Sequence, residues 1–146
     1  MVHIAITHKI YRGFFESVFN KEIDFDTDTI KVMLVGAGYT PDQAAHRYKS
    51  AVTSEASGPG YTAGGVTLGT PQIVGSGSTV TLKGDNIAWP SSTISGRYLV
   101  IYDATPGSDA QRPLISYVDF GETVSSTSAT FQATWNALGL LSVSVA

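Results

Sequence analysis

Three aspartates, Asp24, Asp26 and Asp28, alternate with Phe25 and Thr27, a spacing of hard oxygen donors that opens many calcium loops. An EF-hand would need Gly at the sixth position and a bidentate Glu at the twelfth, where this chain has Thr29 and Val35. The motif is therefore rejected. A weak surface Ca²⁺ site at the three aspartates stands as an alternative to the better reading, a solvated turn leading into the apolar run at Ile30. Gly36-Ala37-Gly38 lies between a strand-like and a helix-like segment, where a dinucleotide-binding loop would lie. Pro41 occupies the third glycine position and no further βα units follow, so a turn needing positive φ explains these glycines without a ligand.

His3, His8 and His46 form no zinc-binding spacing, and each reads as a surface or capping histidine. Ser76, in Gly75-Ser76-Gly77, fails the Gly-x-Ser-x-Gly elbow, and the Gly75–Ser78 stretch reads as a turn. Asp119-Phe120-Gly121 copies three letters of the kinase metal motif without the glycine-rich loop, strand lysine or catalytic loop that would accompany it, so Asp119 and Gly121 are expected to end a strand. No acid, base and nucleophile come together convincingly. The expectation is a protein that is not an enzyme, with no catalytic, cofactor-binding or metal-binding residues and no cofactor.

Whatever these residues do, a fold must place them. The 146 residues, 42% hydrophobic and 14% charged, suit one domain with an ample core. Cysteine is absent, which excludes disulfides, thiolate metal sites and thiol catalysis. A net charge of −3 gives no electrostatic reason for binding nucleic acid or an anionic membrane, and no apolar run is long enough to span a bilayer. Met1 to Ile6 is too short and too soon followed by His8-Lys9 for a signal peptide, so the chain is expected to be soluble and made in the cytoplasm. Thirteen of its charges, six basic and seven acidic, fall in residues 1–55, which divides one domain, 1–146, into a helix-containing region 1–55 and a β-rich region 56–146.

Ile10, Tyr11, Phe14, Phe15, Val18 and Phe19 recur at helical spacing, predicting a helix from an N-cap at Thr7 to a stop at Asn20, weakened at Gly13. Its apolar face suits either the chain's own core or a partner. Ile30 to Val35 reads as a strand buried on both faces. Thr40-Pro41-Asp42 predicts a second short helix to about Ser50, followed by a turn-rich loop at 54–60. Short strands are expected at 66–68, 72–74, 79–82, 86–89, 97–102, 114–120, 129–135 and 140–145, with turns at Gly84-Asp85, Pro90-Ser91-Ser92, Pro106 to Asp109 and Gly121-Glu122. The pattern predicts a mainly β, antiparallel β-sandwich, in form a jelly roll, with one or two short N-terminal helices. Trp89, Tyr98, Tyr102, Tyr117, Phe120, Phe131 and Trp135 are spread over separate strands and suit a sandwich core better than a sugar-binding platform.

A series of landmarks runs almost the whole length: Tyr11 to Phe19, Asp28 to Val35, Tyr39-Thr40-Pro41-Asp42 with His46, Glu55 to Gly65, Trp89 to Ser95, Tyr98 to Asp103, Pro113 to Gly121 and Phe131 to Gly139. In order and spacing they resemble a family of small tailed-bacteriophage virion structural proteins. The resemblance implies a particle component, and a capsid decoration or cement protein best suits the size and the expected sandwich. It implies the major capsid protein and copies of itself as partners, in a dimer or trimer, no nucleic acid or membrane, and a place in the virion on the outer head surface. A tail or baseplate component, or a carbohydrate- or receptor-binding module, is the alternative. The alternating end, Leu141 to Ala146, departs from the family pattern. On this reading the N-terminal segment and the Gly58–Gly65 loop would contact the shell or sister subunits.

Overall fold

The computed structural model describes residues 8–145; the expected cap at Thr7 and His3 lie outside them. The chain is mainly β, with every strand pair antiparallel. A five-stranded sheet has the order β1 (His8–Ile10), β8 (Leu114–Ser125), β7 (Ser95–Asp103), β2 (Ile30–Val35), β3 (Val66–Thr67). A three-stranded sheet joins β10 (Leu141–Ser144), β5 (Thr79–Lys83) and β4 (Gln72–Ser76), and β6 (Ile87–Ser92) pairs with β9 (Ala129–Ala133). Among the described residues one α-helix, α1, spans Arg12–Phe19.

Alternation along the central strands, reset in β8 by a register shift opposite Ile101 and Tyr102, sorts their side chains into two cores. Val32, Leu34, Leu99, Ile101, Ile115, Val118 and Phe120 face one side, where Leu82 and Leu141 of the three-stranded sheet and Ile87, Trp89, Phe131 and Ala133 of the β6–β9 pair cover them. This is the sandwich. Met33, Val35, Tyr98, Val100, Tyr102 and Tyr117 face the other side, against Tyr11 and Tyr39. Both faces of β2 and β7 are thus covered, which is why the Ile30–Val35 run carries almost no polar residue. A jelly roll is built from eight strands in two Greek keys; the five, three and two strands seen here establish the sandwich and not that particular winding.

Several elements differ from expectation for identifiable reasons. The first helix begins four residues later than the apolar spacing suggests, because His8–Ile10 pairs with Ser116–Val118 as a strand before the chain turns at Tyr11. No second helix forms between Thr40 and Ser50. Asp42 caps one turn, its Oδ1 accepting from the N–H groups of Ala44 and Ala45 at 3.0 Å each, and the chain then leaves through a single 3-10 turn at Lys49–Ala51. Pro90-Ser91-Ser92 is part of β6, at an irregularity in the β6–β9 register where the missing proline N–H interrupts no regular ladder. Gly121 and Glu122 lie inside β8, and the φ of 81° at Gly121 marks a kink in that long strand instead of its end.

Candidate functional site

The aspartates fold into the solvated turn. Asp24 O accepts from Thr27 N (3.1 Å) and Asp28 N (2.7 Å), and Asp28 Oδ2 accepts from Asp24 N at 2.9 Å, so one oxygen of the Asp28 carboxylate closes the turn on the backbone. Beside it the structure places a residue the sequence did not single out. Asp103, at the end of β7, is fully buried; its Oδ1 accepts from Thr105 N at 2.9 Å, and its Oδ2 has no protein donor. Burial and the adjoining Asp28 carboxyl push the Asp103 carboxyl up to about 7. A proton on Oδ2 turns that oxygen into a donor toward Asp28, which supplies the partner it otherwise lacks. Among the described residues no three His, Asp or Glu side chains are grouped to hold a metal.

The other candidates are structural. Neither Gly36 nor Gly38 has positive φ; both are glycine because Ser54 passes close by, its Oγ only 2.5 Å from where a Cβ of Gly38 would lie. That corrects the expectation of a left-handed turn. His46 Nδ1 accepts from Asp42 N (3.2 Å), so it is also the acceptor for Tyr39 Oη (2.9 Å), and Tyr39 Oη lies 2.9 Å from Tyr11 Oη. The ring caps a turn and anchors buried tyrosines, of which Tyr39 is pushed up to about 12 by burial. His8 is less of a surface histidine than expected: burial lowers its pKa, its Nε2 accepts from Ser142 N at 3.4 Å, and its Nδ1 is buried without a partner. Asp119 sits within β8 and pairs with Arg97 at 3.0 and 3.3 Å, which holds its carboxyl below the usual range. Gly75 and Ser76 belong to β4, leaving only Gly77-Ser78 as the turn. Trp89, Tyr98, Tyr102, Tyr117, Phe120 and Phe131 are buried in the two cores and Trp135 packs half-buried against one of them; Trp89, 4% exposed, lies between a tilted Tyr61 and an edge-on Phe131.

The Gly58–Gly65 loop is a brace. Glu55 Oε1 accepts from Tyr61 Oη (2.8 Å) and from Gly64 N (2.6 Å), Tyr61 Oη accepts from Leu34 N (3.1 Å), and Gly64 O accepts from Tyr102 Oη (2.6 Å). Gly65 has φ of 84° and runs so near β2 that a Cβ there would lie 2.0 Å from Val32 O. Sequence reading flagged the loop by its glycines and missed Glu55, the carboxylate that holds it, because nothing marks an isolated glutamate as a tether.

What the scaffold leaves uncovered is apolar. Tyr11 and Phe14 turn inward from α1, while Phe15 and Val18 are more than a third exposed and Phe19 is 83% exposed. The helix cannot roll to hide them. Arg47 crosses it so closely that a Cβ on Gly13 would lie 2.7 Å from Arg47 Cγ, and it binds Glu16 (3.3 Å), Glu22 (2.9 Å) and Ser17 (3.3 Å). Arg12 N donates to Gln43 O at 2.8 Å, and Gln43 Nε2 donates to Ile10 O at 2.7 Å. An open cleft of about 510 Å³ lies beyond Glu22 and Tyr48, lined also by Pro106, Gly107, Ala110 and Gln111, but the Glu22 carboxylate in it is occupied by Arg47 and Tyr48.

No protein-family model matches this chain, and no curated protein or solved structure matches it significantly. A helix held rigidly with two phenylalanines and a valine facing outward is suited to docking, since its partner incurs no cost for ordering it.

Proposed function

We propose that this chain is a structural component of a tailed-phage particle, a capsid decoration or cement protein that binds the major capsid protein on the outer head surface and stabilises the shell. The observation that carries the reading is the outward face of α1, Phe15, Val18 and Phe19, fixed in place by Arg47 and Gln43. The order of landmarks resembling phage virion proteins supports it. The Gly58–Gly65 loop directs its tethering groups inward, so α1 carries the shell contact. Burying a phenylalanine contributes roughly 1.5–3 kcal/mol, and a shell repeats each contact over many symmetric copies, so a modest face on one subunit becomes a large effect on the particle.

The test is a Phe15→Glu/Phe19→Glu double variant, whose changes fall on exposed side chains and leave the fold intact by circular dichroism. Losing two buried phenylalanines at the interface weakens association with particles by roughly a hundredfold or more. Incorporation equal to that of the unaltered chain would remove the proposal.

A further inference from the structure

The three-stranded sheet has two chemically distinct faces. Ser142 and Thr81, then Ser144 and Thr79, stand on one, with Thr79 Oγ1 2.8 Å from Ser144 Oγ. Leu141, Leu82 and Ile73 stand on the other, followed toward the tip by Val143, Val80 and Gly75. The apolar face starts in the core, where Leu141 and Leu82 are buried, and runs past it: Val80 is 44% exposed and Ile73 51% exposed. At its margin β4 pairs only with β5, and among the described residues no hydrogen bond reaches its outer side.

Soluble proteins guard such edges with lysine, proline or a bulge. β4 has none of these between Gln72 and Ser76, and its register with β5 is unbroken. Lys83 is the sole charged residue in all three strands of a chain with 21 charged side chains, so a copy of the sheet approaching this edge meets almost no like charge. An antiparallel pair of β4 strands centred on Val74 sets Val74 against Val74, Gln72 against Ser76, and each Ile73 against Gly75 of the other copy. In such a ladder opposite residues share a face. Nothing lies within 4 Å of the position a Gly75 Cβ would take, so the exposed isoleucine of one copy meets an empty site on the other.

We infer that β4 is a self-association edge: two copies of the chain join antiparallel through Gln72–Ser76 about a two-fold axis, making one six-stranded sheet with a continuous apolar face. The inference is independent of the proposed function. A contact of five residues a side falls short of the roughly 1,000 Å² of a permanent interface, so the association is reversible and grows with concentration.

The chain lacks cysteine, so Val74→Cys introduces a single thiol that faces its own copy across the axis at a separation disulfides accept. Under mild oxidation it cross-links on the order of tenfold faster than Gly107→Cys on a distant loop, because pairing raises its effective concentration. Sedimentation of the full unaltered chain shows a monomer–dimer equilibrium, and Ile73→Lys shifts it to monomer with an unchanged circular dichroism spectrum. A chain monomeric at every concentration, Val74→Cys cross-linking no faster than the loop control, or open-ended or three-fold assembly would overturn the inference. So would Val74→Cys cross-linking only to a different protein, which would give the edge to that partner.

Discussion

Asp103 links a single buried oxygen to the stability of the whole fold. Its carboxyl is raised to about 7 from an ordinary value near 3.8, by burial first and by Asp28 second. The native chain therefore binds a proton that the unfolded chain releases between about pH 4 and 7, and stability from this pair falls as pH rises through that window. We expect unfolding in urea to show on the order of 2–4 kcal/mol less contribution from the pair at pH 8 than at pH 4.5. His8 has the opposite sign, since its lowered pKa makes stability fall as pH drops below about 6.5. Asp103→Asn separates the two: it keeps a donor toward Asp28, leaves His8 untouched, and should be more stable than the unaltered chain at pH 8 and about equal at pH 4.5. An unchanged slope in Asp103→Asn would refute the assignment. At Glu55, replacement by Ala leaves Gly64 N without its partner and should cost about 2–3 kcal/mol, measured by the urea midpoint.

Among the elements, α1 gives the sharpest prediction. Helix propensity alone makes Gly13→Ala stabilising by about 1 kcal/mol. The crossing of Arg47, whose Cγ, Cβ and Cα all lie within 3.0 Å of the new methyl's position, reverses the sign. We expect Gly13→Ala to lower the melting temperature, and a rise would show that Arg47 yields easily. The same contrast explains what was legible in the sequence. Strands are readable because alternation and turn formers are local properties, so the eight expected β-strands and the Ile30–Val35 run are all present, although β6 and β8 run on through the turns expected at Pro90–Ser92 and Gly121-Glu122. The 40–50 segment misleads because its capping signal at Asp42 is real, yet no apolar stripe follows to bury a second turn. Gly13, Gly36 and Gly38 misled in a different way: each is glycine because of a side chain distant in sequence, Arg47 or Ser54. Asp103 was invisible because its partner, Asp28, lies 75 positions away.

For the whole molecule, the structure separates what is sealed from what is left open. Both faces of β2 and β7 are buried, the glycine-rich loop is tied to those strands, and the polar clusters are largely satisfied internally. The outward groups are the apolar face of α1 and the tip of the three-stranded sheet. On the proposed readings, α1 would meet a shell and β4 a second copy of the chain. The aromatic spacing signalled α1 and left its face open to the core or a partner; that half of the face stays exposed depends on how Arg47 and Gln43 fix the helix. The central claim is tested most directly by counting copies of this chain in purified particles against the major capsid protein. The account predicts a fixed ratio with copies spread over the head; copies confined to a single vertex, or none at all, would contradict it.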